Sequence, residues 1–380
     1  MAYDKVVDSA SLDSKLTQVA DAIRTKGNTS ADLQFPSGFI SAIQAIQTGT
    51  ELKIVVSVTS GATVTATKGS KVVSGTAVNG TCTLTVPEAG TWSVKATLNG
   101  QTSDTKSVTF TDRYAVTLSF ASAVLNNNDW SVIKSVSDAG QGANYWSVGD
   151  RKAATLNGTV GALTLSNFTT YAFIIGFNHN ASLEGANRIH FQLGKTALSG
   201  GTDVALCDSK YNLQVSATGY FSMNSSRTNS GGWANSQMRT NICGTSLSSY
   251  SGTIIAVIPA ALRAVLKSVT KYTDNTGHSS IASAVTATTD YFFLLSEYEV
   301  FGTISEGNTN ESSKQAQYAY YSAGNSKVKY NHSATGTAVA WWLRSPRASD
   351  SNSFVRVYSE GVVDYLNAYY VNGFAPGFCV

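Results

Sequence analysis

Four stretches between residues 51 and 98, LKIVVSV, ATVTATK, TCTLTVP and TWSVKATL, alternate apolar and polar side chains with a period of two. Successive strand residues point to opposite faces, so each stretch buries one face and wets the other. Asn79-Gly80 and Asn99-Gly100 stand at the turns of this pattern. Asn-Gly is the strongest short-range hairpin signal, because a two-residue turn needs positive φ at both positions. A helix would scatter these apolar groups around its circumference, so the segment from Glu51 to residue 112 is expected to be all β. About seven short strands imply two packed sheets. No chemical constellation lies in the segment, and its lone Cys82 reads as core, so a spacer is the simplest role.

The chain as a whole has 380 residues, too many for one ordinary core, and two or three domains are expected. Only 13% of residues are charged while 42% are hydrophobic, which excludes a disordered chain. Abundant Ser, Thr, Asn and Gly suit a loop-rich β protein working outside cells or on a particle surface. The net charge of +3 is near neutral and the Lys and Arg are scattered, so no nucleic-acid partner is expected. Cys82, Cys207, Cys243 and Cys379 lie far apart without a CxxC pair, which argues for buried free thiols over zinc or a disulfide framework. MAYDKVVDSASLDSK lacks the apolar core of a secretory signal. The longest apolar run, Thr253 to Leu266, contains Pro259 and Arg263 and is too short to span a bilayer, so no membrane insertion is expected. Lysis of a host cell is a route outside that needs no signal.

Residues 1–50 read as two helices. Leu12, Leu16, Val19 and Ile23 recur at helical spacing and Gly27 stands where a C-terminal cap belongs. Pro36 opens a second helix with Phe39, Ile40, Ile43 and Ile46 on one face, and Gly49 ends it. Two helices this short cannot bury both stripes against each other, so a docking partner or further copies are expected. The stretch VADAIRTKGNTSADLQFPSGFISAIQAI resembles a short N-terminal repeat of tail and baseplate proteins of phages infecting Firmicutes. The resemblance implies attachment to a phage tail or baseplate protein through residues 1–50.

Residues 113–380 mix short strands, long loops and a few helices. PAALRAVLKSVTKY places Leu262, Val265, Leu266 and Val269 on one helical face, DYFFLLSEYEVFG reads as a buried strand and turn, and SSKQAQYAYYSAG as a shorter helix. GGWANSQMRTNI, PAALRAVLKSVTKYTDN, DYFFLLSEYEVFG and WWLRSP resemble, in order, a domain of unknown function widespread in Firmicutes surface and phage proteins and related to the C-type lectin fold. This chain carries GFAPGF at Gly373–Phe378 where the family's usual ending resembles GVRPAF. Sugar-binding C-type lectins carry EPN or QPD with WND triplets as calcium ligands. None is present, so no metal is expected.

The last forty residues hold nine aromatics, more than twice the 10% chain average. Trp341, Trp342, Phe374 and Phe378 read as a structural frame, and Arg344 as a brace donating to loop carbonyls. In FVRVYSEG, Val355 and Val357 would occupy one strand face, with Phe354, Arg356 and Tyr358 on the other. The tract 347–372 has no Lys and a single Glu, Glu360, where a plain solvated surface would carry many. Tyr offers rigid contact area at low entropy cost while Asn and Ser adapt their hydrogen bonds. Arg347, Asp350, Asn352, Arg356, Tyr358, Asp364, Tyr365, Asn367, Tyr369, Tyr370 and Asn372 are therefore the candidate ligand-binding residues, with Tyr365, Tyr369 and Tyr370 as anchors. The arrangement is similar to the variable region of proteins diversified by retroelements, in which template adenines mutate and Asn codons yield Tyr, Asp, Ser or Arg.

No GxSxG, HExxH, Walker loop or EF-hand pattern occurs. His179, His190, His278 and His332 are scattered, and Glu297 and Glu299, two apart after a strand, read as structural acceptors rather than an acid pair. The expected fold class is multidomain, mainly β with α+β: a helical module (1–50), an immunoglobulin-like β-sandwich (51–112) and a C-type-lectin-like fold (113–380). The expected function is a non-catalytic phage tail adhesin, without cofactor, that binds a bacterial surface protein or glycan receptor. It is expected in the virion as a homo-oligomer, for which a trimer is a plausible form. The alternative is a structural baseplate protein with a fixed C-terminal packing domain.

Overall fold

The computed structural model describes residues 9–27, 30–45, 51–110 and 113–380. The chain is multidomain and mainly β, built from several separate sheets. It divides into two compact units: the described residues among 1–60, 64–94 and 107–117 in one, and residues 61–63, 95–106 and 118–380 in the other. No helix among the described residues is long and apolar enough to cross a membrane.

Helices α1 (Ser9–Gly27) and α2 (Ser37–Ala45) pack through Ala20, Ile23 and Phe39, with Leu16, Leu33 and Ala42 beside them. The expected stripe splits: Leu16 and Ile23 turn toward α2, whereas Leu12 and Val19 stay exposed. Ile40 and Ile43 are exposed as well, since one narrow helix pair covers one side only. Ile46 and Gly49 lie outside the described residues.

Strands β1 (Lys53–Ser57), β4 (Thr81–Thr85) and β8 (Arg113–Thr117) form one sheet, with β1 antiparallel to β4 and parallel to β8. Strands β3 (Lys71–Thr76), β2 (Thr63–Lys68), β5 (Gly90–Leu98) and β6 (Gln101–Thr102) make a second, to which β7 (Lys106–Phe110) adds on β5. Alternation holds along both: Ile54, Val56, Leu84, Trp92, Val94 and Ala96 are buried and their neighbours are not. Asn79 and Asn99 have φ near 50° and are followed by Gly80 and Gly100 with φ near 80°, the conformation their turns require. The pairing of β8 with β1 extends this β segment to Thr117, past the expected boundary at 112, because register with β1 rather than composition decides where a strand belongs.

The C-terminal unit centres on a five-stranded sheet in the order β15 (Phe292–Phe293), β21 (Gly377–Cys379), β11 (Ile189–Lys195), β10 (Leu163–Phe177), β9 (Arg151–Val160). The chain's last strand is thus interior to a sheet. Helix α3 (Trp130–Asp138) presses Trp130 edge-on against Phe191 and Phe378. Smaller sheets follow: β12 (Val204–Ala205) with β16 (Lys329–Asn331) and β17 (Ala334–Val339); β13 (Val269–Asp274) with β14 (Val285–Asp290); and β18 (Trp341–Pro346), β19 (Ser353–Val357) and β20 (Val363–Asn367).

Three local expectations change. PAALRAVLKSVTKY is helical only over Ala260–Arg263; Leu262, Val265, Leu266 and Val269 are all buried, but Val269 opens β13, where long-range pairing with β14 overrides the helical period. DYFFLLSEYEVFG ends in helix α4 (Glu297–Phe301), not in a simple turn. Ser296 and Glu299 form a capping box: the Ser296 hydroxyl accepts from the Glu299 amide at 3.1 Å and the Glu299 carboxylate accepts from the Ser296 amide at 3.0 Å. SSKQAQYAYYSAG is α-helical only over Ala319–Ser322, after a 3-10 turn at Thr309–Ser313.

Candidate functional site

The C-terminal tract is built on a buried charge cluster. The capping box turns Glu299 inward, where Arg344 of β18 grips its carboxylate with both terminal nitrogens, one of them 2.9 Å from Oε1. Arg344 also donates to the Leu294 carbonyl at 2.9 Å and the Thr273 hydroxyl at 2.8 Å, so it braces a carbonyl as expected and in addition neutralises a buried acid. The Lys271 ammonium of β13 lies 2.7 Å from Glu184, 2.9 Å from Glu299 and 2.8 Å from the Tyr318 hydroxyl. All of these side chains are buried. Burial alone would raise the Glu299 carboxyl, but the charges of Arg344 and Lys271 outweigh it and hold it below the usual carboxylate range. Burial pushes Glu184 up, against the opposing charge of Lys271. His179, stacked on Tyr318, is pushed down to about 3 by burial and stays neutral.

His179, Glu184 and Glu299 place ligand atoms within 4.8 Å of one another, a spacing that would suit a cation. The Lys271 ammonium already occupies the place between the two carboxylates. The cluster is a buried, charge-paired core element.

Glu297, two residues before Glu299, faces elsewhere, since residues two apart on a helix do not share a face. Its carboxylate accepts from the Ser305 and Gly307 amides, each at 2.7 Å, and so shapes the loop that carries Glu306. Glu306 accepts from Arg347 at 2.8 Å, Asp350 accepts from the same guanidinium at 2.7 Å, and the guanidinium carbon lies over the Tyr365 ring, 3.2 Å from its centroid. A buried acid thus fixes a loop, the loop fixes an arginine, and the arginine fixes an exposed tyrosine.

The eleven candidate residues fall into separate bonded groups. Arg347, Asp350 and Tyr365 form the first, with Asn352 and Asn367 alongside: the Asn352 amide donates to Asp350 at 2.8 Å, and Asn367 bonds Ser353 at 3.3 Å. Arg356, Asp364, Tyr358 and Asn372 form the second; Arg356 donates to Asp364 at 2.9 and 2.7 Å and to Asn372 at 3.0 Å, and lies 5.3 Å from the Tyr358 ring. Tyr369 and Tyr370 form the third, packed edge to face, with Tyr370 taking a 2.5 Å hydrogen bond from Gln214.

Two expectations about this tract are corrected. Strand β19 is the middle strand of its sheet and is buried on both faces, so it does not present Phe354 and Arg356 to solvent. Asn372 is fully buried and Arg356 nearly so; they support the sheet and are not contact groups. In β20, Tyr365 pairs with Val355 and Asp364 with Arg356, which places Tyr365 and Asp364 on opposite faces. The whole set therefore cannot meet one flat ligand. The groups left accessible are Tyr358 and Tyr365, 40% and 37% exposed, with half-buried Arg347, Asp350, Asn352, Asp364, Asn367, Tyr369 and Tyr370. The structural frame behaves as expected: Trp341, Trp342, Phe374 and Phe378 are buried, and the Trp342 indole donates to the Phe221 carbonyl at 3.0 Å.

Sequence reasoning missed the supporting groups Glu184, Lys271, Glu306, Gln214 and the exposed Leu213, whose neighbour Val215 bonds the Tyr369 carbonyl. Only Glu299 carried a local signal, the Ser-x-x-Glu spacing of its capping box. All four cysteines are buried and free.

Residues 209–380, less than half of the chain, match the family model of a domain of unknown function, DUF6273. The match contains the whole candidate tract and its frame. No curated protein and no solved structure matches the chain.

Proposed function

We propose that the protein is a non-catalytic adhesin of a phage tail, which binds a bacterial surface ligand through the exposed tyrosines of its C-terminal tract. The observation that carries this reading is the tethering of Tyr365. An exposed aromatic ring held by a doubly ion-paired arginine, on an edge strand backed by the buried strands β18 and β19, is pre-organised for contact, and pre-organisation lowers the entropy cost of binding. Tyr358, Tyr369, Tyr370 and the flanking Asp, Asn and Arg groups would supply adaptable contacts on the neighbouring faces of the tract. On this reading the β segment up to Thr117 is an immunoglobulin-like spacer, the C-terminal unit has a C-type-lectin-like fold, and residues 1–50 attach the chain to the tail of a virion released by lysis. Several copies per particle would raise weak single-site binding by avidity. The frame of Trp341, Trp342, Arg344, Phe374 and Phe378 would stay constant while the exposed positions are diversified.

Deep sequencing of the 3′ end of the gene in a growing population of its carrier tests the diversification. Substitutions should gather at codons for exposed residues such as Tyr358 and Tyr365 and spare those for Arg344 and Asn372. A tract as constant as the codons for Asp290 to Gly302 would instead favour the fixed packing domain of a structural baseplate protein.

A further inference from the structure

Five of the fifteen large hydrophobic residues exposed among the described residues lie between Leu12 and Ile43. Charge is sorted around α1 in the same region. Leu12, Lys15, Val19 and Lys26 follow at spacings of three, four and seven, and so share one flank of the helix. Asp13, Thr17 and Arg24 lie on the other flank, where with Leu16, Phe35 and Phe39 they line a groove of about 310 Å³ that Asp32 also borders. Arg24 is engaged by Asp21 at 2.5 Å, which leaves the rim acidic through Asp13 and Asp32. Lys15 and Lys26 form no ion pair among the described residues. One side of the helix pair is thus apolar and basic, and the other is a partly apolar groove with acidic edges.

We propose that the occupant of this groove is a second copy of the same chain, which inserts its Leu12–Val19 flank and sets Lys15 and Lys26 against Asp13 and Asp32. Charge complementarity selects a copy over a foreign helix: both halves of the match are present on every chain. Because flank and groove are different surfaces, the contact is head-to-tail, and it generates a ring where the rotation closes. A two-fold dimer would need one self-complementary patch, which neither surface provides. This inference stands whether or not the C-terminal tract binds a receptor.

The test uses the full chain in analytical ultracentrifugation. Wild type should sediment as one discrete oligomer larger than a dimer. A flank variant, Leu12→Glu with Val19→Glu, and a groove variant, Asp13→Lys with Thr17→Lys, should each be monomeric; all four positions are exposed, and circular dichroism should report unchanged helix. Mixing the two variants should yield a one-to-one pair and nothing larger, since only the intact groove of one can take the intact flank of the other. A monomeric wild type, a groove variant that still dimerises alone, or a mixture that stays monomeric would each overturn the proposal.

Discussion

Replacing Arg344 by Leu is the perturbation whose cost follows most directly from the structure. The side chain is fully buried, grips both oxygens of the buried Glu299 and satisfies the Leu294 carbonyl. Leucine fills part of the volume but leaves the Glu299 charge to Lys271 and the Ser296 amide. Removing one partner of a buried ion pair costs about 3–5 kcal/mol. An unsatisfied buried carbonyl costs ~1–3 kcal/mol more, though neighbouring terms do not add fully. A loss near 4 kcal/mol, at about 2–4 °C per kcal/mol for a unit this large, lowers the C-terminal unfolding transition by roughly 8–16 °C. Differential scanning calorimetry on the full chain measures it, with the transition of the N-terminal β segment as an internal reference that should not move. Adding Glu299→Gln to Arg344→Leu should recover part of the loss, because the uncompensated charge is then gone. An Arg344→Leu variant within about 1 kcal/mol of wild type would refute the assignment of this pair as the frame's support.

Further outcomes follow from the same geometry. Glu311 is fully buried and pushed up to about 7 by burial, although it accepts from the Asp274 amide, Ser345 and Gln315. A carboxyl whose folded pKa lies above its unfolded value favours the fold below the unfolded pKa, and that advantage is lost as pH rises through the folded one. Glu311 should therefore contribute a downward slope to the stability of the C-terminal unit between about pH 4.5 and 7, on top of the like-signed slope of Glu184 and the opposing slope of His179, so Glu311→Gln should shift the slope upward relative to wild type; an identical slope in both proteins, measured by urea unfolding across that window, counts against it. Tyr365→Ala should change stability by less than about 1 kcal/mol, since the ring is exposed and its arginine keeps two carboxylate partners; a larger drop in thermal unfolding would make the ring structural. The four thiols should resist a thiol-titrating reagent in the native chain and all react in denaturant; rapid native labelling of Cys379 would contradict its place in the central sheet.

Much of the fold was legible where the determinants are local. The alternation from Lys53 to Leu98 and the two Asn-Gly turns depend on neighbours within a few residues, and the strands and hairpins stand where the sequence puts them. The capping box at Ser296–Glu299 is equally local in its Ser-x-x-Glu spacing, although the strand-and-turn reading of DYFFLLSEYEVFG passes over it. Residues 259–272 misled because Leu262, Val265, Leu266 and Val269 fit a helical face and are in fact buried, yet pairing with β14 turns the second half into strand and aims Lys271 at Glu184 and Glu299. No local pattern encodes that meeting, since the partners lie 87 and 28 residues away. The tract itself was legible in composition but not in exposure. Arg356 and Asn372 look like surface residues until β19 is seen to be a middle strand.

The central claim, recognition by pre-organised surface tyrosines, is tested most directly by binding of the full chain to whole cells and isolated wall polysaccharide from a panel of bacteria. Wild type should be retained by at least one surface without releasing reducing sugar, and Tyr358→Ala with Tyr365→Ala should weaken that retention at least ~10-fold at unchanged thermal stability. Retention that survives both substitutions, or sugar released from the wall in step with binding, would contradict the account.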